Sequence, residues 1–363
     1  MPQFTINGRE IGPNSQPYII AELSGNHNGQ LDRALALVDA AADAGADAIK
    51  LQTYTADTMT IDCDLPDFHI QGGLWDGHTL YDLYTLAHTP WEWHQPLFER
   101  AKSRGLTIFS TPFDESAVDF LEELGTPAYK IASFEITDLP LLSYIAQQGK
   151  PVIISSGMST ETEIAKALTI LRENGCSQIL LLHCVSGYPT PLADINLKRI
   201  TRLAETFSVP IGLSDHTLGN TAAQLAIALG AVAIEKHLTL ARADGGPDAE
   251  FSLEPHELKE LCSQAKLCWQ ALGSGKSGDN QAEQANLRFR RSLYFVADIP
   301  AGTTIKPEHI RRIRPGYGLP PEALPQILGK KTSHNIHRGK AVSFSDLKNI
   351  KVIPFHEGKL DYE

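Results

Sequence analysis

Eight short apolar runs recur between residues 18 and 238, and longer stretches of helical period separate them: YIIAELS (18–24), AIKLQTY (48–54), TIFSTP (107–112), AYKIAS (128–133), PVIISSG (151–157), ILLLHC (179–184), PIGLSDH (210–216) and AIEKHL (233–238). Runs this short and this rich in Ile, Val and Leu are the signature of parallel strands buried on both faces. Parallel strands need helical crossovers, which the intervening segments supply. Eight such units predict an α/β fold, a (β/α)8 barrel. A doubly wound sheet is the alternative, but no GxGxxG follows the first run. Within the crossovers, Leu31, Leu35 and Val38 mark the apolar stripe of a helix over 31–44, with Gly45 as its stop. Thr160 and Glu163 form a capping box for a helix ending at Gly175. A helix through Pro96–Lys102 precedes the third strand, and another runs from Pro255 to about Leu272. The insertion from about Thr55 to Pro90 is too long and too aromatic for a plain connector, so it predicts a substrate-side loop.

A chain of 363 residues exceeds one such barrel. The barrel domain is placed at 1–272. The polar, Gly/Ser-rich stretch 273–288 reads as a linker. Residues 289–350, with short apolar runs, the turns DIPAG and HRGK and several prolines, predict a small β-rich domain; the tail 351–363 carries no signal. A net charge of -11 argues against a nucleic-acid partner. No apolar run is long enough to span a bilayer, and the N-terminus lacks a basic-then-apolar leader. The five cysteines are odd in number and contain no CxxC, as expected of free thiols in a reducing cytoplasm.

Side chains alternate faces along a strand. Gly212, Ser214 and His216 therefore share one face, and Ala233, Glu235 and His237 share another. At the carboxyl ends of adjacent strands, His216 and His237 would come together, which suggests a divalent metal site. Two hydrogen-bonded structural histidines are the alternative. The other strand ends carry Glu22, Lys50 with Gln52, Ser110 with Thr111, Lys130 with Ser133 and Glu135, Ser155, and Ser186 with Tyr188. An inward lysine is costly without an anionic partner. Two of them amid hydroxyls resemble a cradle for phosphate or carboxylate; internal salt bridges to Glu22 or Glu135 are the alternative. Asp248, in the loop after the eighth run, is either a turn residue or a group reaching the metal side or a substrate hydroxyl. Cys184 has no evident base and reads as a buried strand thiol.

Taken in order, IAELSGNHNG, IKLQTYT, FSTPFD, AYKIASFEITDLPLL, KPVIISSGMST, LLHCVSGYPTP, IGLSDHT and IEKHLTL resemble the sialic acid synthase family. RRSLYFVADIPAG and RPGYGLPPEAL resemble that family's antifreeze-like (SAF) domain. The aromatic insertion and RADGGPDAEFSLEP look most like its pseudaminic acid synthase branch. The resemblance implies a synthase that condenses phosphoenolpyruvate with an amino-sugar aldehyde, here 2,4-diacetamido-2,4,6-trideoxy-L-altrose, releasing phosphate by C–O cleavage. N-acetylneuraminate or legionaminate synthase is the alternative.

It implies further that His216 and His237 bind Mn2+ or Mg2+. Lys50, Thr111, Lys130, Ser133, Ser155 and Ser214 would hold phosphoenolpyruvate. Glu22, Gln52, Glu135, Tyr188 and Asp248 would face the sugar, and Glu22 or Glu235 would steer water. Ser186 departs from some N-acetylneuraminate synthases, which carry Asn there; it is retained as a phosphate contact. Arg314 matches an arginine that reaches a partner's active site, implying a domain-swapped homodimer. Trp75, Tyr81, Tyr84, Trp91 and Trp93 would wall the sugar's methyl group or pack the insertion onto the barrel. A metal-dependent barrel hydrolase would need three or more protein ligands, and a carbohydrate-binding protein would leave the inward lysines unexplained.

Overall fold

A computed structural model describes residues 4–278 and 281–348. The chain divides into two compact units, Met1–Gly273 and Ser274–Glu363. The first is a closed barrel of parallel strands: β3 (Tyr18–Glu22), β4 (Ala48–Thr53), β5 (Thr107–Pro112), β6 (Tyr129–Ile131), β7 (Val152–Ser155), β8 (Ile179–Cys184), β9 (Ile211–Asp215) and β10 (Ala233–His237). β10 pairs with β3 to close it, His237 opposite Glu22.

Strand alternation sorts the apolar side chains into two shells. Ile19, Ala21, Ile49, Leu51, Ile131 and Ile154 pack outward against the helices. Ile20, Ala48, Phe109, Ile153, Leu180, Leu182 and Ala233 fill the interior. The interior is a packed core beneath the strand ends, as close packing requires.

An N-terminal hairpin, β1 (Phe4–Ile6) and β2 (Arg9–Ile11), was not anticipated. Asn7 and Gly8 both adopt positive φ, 49° and 76°, as a two-residue hairpin turn demands. Phe4, Ile6 and Ile11 join the interior cluster and close the amino-terminal mouth of the barrel. Burying side chains of this size stabilises by roughly 1.5–3 kcal/mol each.

The helix Leu31–Ala44 ends on Gly45 in the left-handed conformation. Its fully buried stripe is Ala34, Leu37, Val38, Ala41 and Ala44; Leu35 is only partly buried, so the expected stripe was rotated. The Thr160–Glu163 capping box is formed in full. The insertion holds two helices, Ala56–Met59 and Leu80–Ala87.

In the second unit, β11 (Ser292–Phe295) pairs antiparallel with β12 (Ile310–Ile313). Leu293, Phe295, Ile299, Ile305, Ile310, Ile327, Ile336 and Val342 form its core. The expected linker contains the helix Gln281–Gln284 and the turn Leu287–Phe289. The expected tail, 351–363, lies outside the described residues. Among the described residues no helix is long and apolar enough to cross a membrane.

Candidate active site

Strand register collects the charged residues at one end of the barrel. Glu22 stands opposite both His237 and Lys50, Gln52 opposite Thr111, Cys184 opposite Ser214, and Ser214 opposite Glu235. All lie within three residues of the carboxyl ends of their strands. Ser110 is the exception. It points outward and bonds Thr53 Oγ1 at 2.6 Å, and Thr53 in turn contacts His94 Nε2 at 2.8 Å. It belongs to the packing under the helix, not to the cradle.

The inward charges form an alternating row. Lys50 Nζ lies 2.8 Å from Glu22 Oε2 and 3.6 Å from Glu235 Oε1. Lys130 Nζ lies 3.3 Å from Glu235 Oε2. Gln52 Nε2 donates to Glu22 at 2.8 Å, Ser214 Oγ to Glu235 at 3.2 Å, and Lys50 to Thr111 Oγ1 at 3.4 Å. Both lysines are thus ion-paired, but to Glu22 and Glu235. The other expected partner, Glu135, has a buried Oε2 with no hydrogen-bond partner.

These environments set the protonation preferences. Burial opposes ionisation of Glu235, yet Lys130 and Lys50 hold its carboxyl below the ordinary range. Burial raises Glu22 despite Lys50. Burial lowers Lys130 although Glu235 opposes it. Burial pushes Glu135 up to about 7.

A second cluster of hydroxyls surrounds Gly157. Gly157 N donates to Ser133 Oγ at 3.0 Å. A methyl group on Gly157 would collide with Ser186 Oγ and Ser133 Oγ, so the serines crowd this backbone. Ser155 Oγ is buried without a partner. A buried hydroxyl left unsatisfied in this way is suited to a phosphate or carboxylate oxygen.

The imidazoles of His216 and His237 do come together, ring centroids 5.4 Å apart. His216 Nδ1 donates to Val185 O at 3.0 Å, which fixes the ring. His237 Nδ1 is buried with no hydrogen-bond partner. Burial, with His216 second, holds His237 neutral by pushing its pKa well down. Asp248 Oδ2 is 3.8 Å from His237 Nδ1. Among the described residues no group of three or more His, Cys, Asp or Glu side chains is arranged to hold an ion. A buried, unpartnered, neutral imidazole beside a second one fits a divalent cation with open positions; it does not fit a closed structural site.

Asp248 is no plain turn residue. It accepts from Ser24 Oγ, and burial, with Glu22 adding to it, raises its carboxyl to about 7. Tyr188 packs between His216, 4.5 Å away by ring centroid, and Trp75, at 5.4 Å.

Trp75 Nε1 donates to Pro247 O at 2.7 Å. Of the insertion's other aromatics, Trp91 stacks on Phe120, Trp93 meets His27 edge-on, and Tyr81 bonds Asp57 near the surface. Tyr84 packs on Tyr54. Trp75 meets the site through the Tyr188 ring, and Tyr84 lies close enough to Glu135 to feel its charge.

Cys184 is buried as expected but does have a basic neighbour, and Asn26 escaped the sequence reading. Cys184 faces inward, within hydrogen-bond reach of His216 and Ser133; burial opposes its thiolate, but His216, Ser133 and Lys130 bring it to about 7. Its alternation with Leu180 and Leu182 was the available signal. Asn26 ties the first strand's turn to the eighth strand's loop through Leu238 O at 2.9 Å and Ser252 Oγ at 2.8 Å. Arg314 lies exposed in the second unit, just past β12 with Arg311 and Arg312.

Residues 37–277 match the NeuB family and residues 290–348 match the SAF domain. The chain is 44% identical over 331 residues to a pseudaminic acid synthase of Campylobacter jejuni, covering 91% of this chain and 96% of that one. It is 42% identical over 333 residues to a pseudaminic acid synthase of Helicobacter pylori, covering 92% and 98%. The solved N-acetylneuraminic acid (sialic acid) synthetase of Leptospira borgpetersenii, in complex with citrate, superposes with a TM-score of 0.72 at 35% identity, covering 79% of this chain and 96% of that one.

Proposed function

This chain belongs to the NeuB family, and from that premise we propose that it is a pseudaminic acid synthase, a transferase joining phosphoenolpyruvate to 2,4-diacetamido-2,4,6-trideoxy-L-altrose. The observation that carries this reading is whole-length similarity to two such synthases, with Lys50 and Lys130 buried inside the barrel.

Lys50, Lys130, Thr111, Ser133, Ser155, Ser186 and Ser214 hold the phosphate and carboxylate of phosphoenolpyruvate and orient its carbon 3 toward the aldehyde. Gln52, Glu135, Tyr188 and Asp248 face the sugar. His216 and His237 would hold a divalent metal, Mn2+ or Mg2+, which when bound supplies Lewis acidity toward the aldehyde oxygen. Carbon 3 forms the new C–C bond, and the cation left at carbon 2 is closed by water. Glu22 or Glu235 takes the proton from that water; burial makes the Glu22 carboxylate the stronger base, while the two lysines keep Glu235 in the ionised form that can accept. The tetrahedral carbon then expels phosphate with cleavage of its C–O bond.

The reading extends to a homodimer in which a partner's second unit, through its Arg314, completes the site. Phe134, Met158, Leu192 and Leu218 follow β6, β7, β8 and β9, and each is more than half exposed, an apolar rim suited to being covered. Light scattering that found an active monomer would remove this. Phosphoenolpyruvate as substrate and five free cysteines support a cytoplasmic enzyme, a placement that recovery from the periplasm would overturn.

The test is phosphate release from phosphoenolpyruvate with Mn2+, comparing the trideoxy-altrose with N-acetylmannosamine. Release only with the former is expected. Release only with N-acetylmannosamine would move the enzyme to neuraminate synthesis. Release with neither would make the legionaminate precursor the next sugar.

A further inference from the structure

Directly behind the two histidines, on the outer face of the same strands, lies a fully buried ion pair. Asp215 immediately precedes His216 and Lys236 immediately precedes His237. The two are register partners across β9 and β10. Lys236 Nζ donates to Asp215 Oδ2 at 2.9 Å, to Thr217 O at 2.6 Å and to Gly219 O at 2.8 Å. An ammonium group has three protons, and all three are used. Asp215 Oδ1 accepts from Thr217 N at 2.9 Å. The backbone from 215 to 219 is therefore wrapped round one charge, with His216 inside the wrap. Thr190 N, bonding His216 O at 3.0 Å, secures the other side.

A buried pair of this kind is weak evidence for stability, because apolar residues of similar volume often serve as well. Its placement supports a different use. The strand alternation that sends His216 and His237 inward sends Asp215 and Lys236 outward, so the pair ties together the backbones that carry both imidazoles. His216 is tethered to Val185 O and lies within hydrogen-bond reach of Cys184, whereas His237 Nδ1 has no hydrogen-bond partner. The spacing of the rings thus depends on the backbone beneath them.

We propose that Asp215 and Lys236 are the positioning pair of the metal site, holding His216 and His237 at the separation a divalent cation requires. The inference rests on the proposed metal role of the two histidines. Supporting residues of this kind typically change metal affinity by about 10–100-fold when removed.

The experiment titrates full-length protein with Mn2+ alone and reads free Mn2+ by electron paramagnetic resonance, with circular dichroism to establish folding. Wild type, His237→Ala and Lys236→Met are compared. The expected result is binding by wild type, loss in His237→Ala, and at least tenfold weaker binding by a folded Lys236→Met. Folded Lys236→Met with wild-type affinity, while His237→Ala has lost it, overturns the positioning role and leaves the metal reading intact. Equal binding by His237→Ala and wild type overturns the metal reading, and the pair's role with it. If Lys236→Met does not fold, the double variant Asp215→Leu/Lys236→Met, which leaves no charge unpaired, is titrated instead. Wild-type affinity there, or failure of that variant to fold as well, makes the pair a folding element and overturns the proposal.

Discussion

Lys50 Nζ and Glu22 Oε2 lie 2.8 Å apart at the bottom of the site, and neither side chain has appreciable contact with solvent. Removing one partner strands a charge where water cannot reach it. Lys50→Met is expected to lose about 3–5 kcal/mol of stability, measured by urea unfolding. Glu22→Gln/Lys50→Met should recover most of that stability and none of the activity. Full activity in the double variant would remove Lys50 from the substrate cradle.

Glu135 offers a pH test. Burial lifts its carboxyl from 4.5 to about 7, so the folded state keeps a proton that the unfolded state gives up. A raised carboxyl contributes stability below the unfolded value and loses it as pH rises through the folded value. Between pH 4.5 and about 7 the wild type should lose about 3 kcal/mol from this group. Glu135→Gln removes that slope. Its melting temperature should match wild type at pH 4 and exceed it at pH 8; equal temperatures at both would refute the shift.

Trp75 reaches the site through Tyr188 and is held by Pro247 O. Trp75→Ala should raise KM for the amino sugar by about 10-fold, a loss near the 1.4 kcal/mol expected of a rim aromatic, and leave KM for phosphoenolpyruvate within about 2-fold. A rise confined to phosphoenolpyruvate would place Trp75 over the wrong substrate.

Gly157 has no room for a side chain between Ser133 and Ser186. Gly157→Ala should cost about 1–3 kcal/mol of stability by overpacking. By displacing the two serines it should also raise KM for phosphoenolpyruvate more than KM for the sugar. Steady-state kinetics with each substrate varied in turn decides this.

The barrel was legible because its eight strands alternate cleanly: Ile49 and Leu51 are outward of Lys50, and Ile153 inward of Ile154, as period two demands. The same alternation brought His216 to His237. Where the reading failed, another interaction set the outcome. The stripe of the first helix is built on Ala34 and Ala41, which close packing favours and hydrophobicity ranks low. The N-terminal hairpin carried an Asn-Gly turn signal, but its strands are only three residues long. Ser110 was placed by proximity to a strand end when its parity pointed outward. Asn26 acts through partners more than two hundred residues away, a contact no local pattern contains.

Glu22 and His237 face each other across the seam where the first barrel strand meets the last. The charge row draws on strands from each side of that seam, Glu22 and Lys50 from one and Glu235 from the other, while the histidine pair belongs to the last two strands alone. A chain that has not yet closed its ring therefore has no working centre, and a truncated or half-assembled copy cannot consume substrate wastefully. Catalytic competence is in this sense a receipt for completed assembly, issued only when the last strand docks.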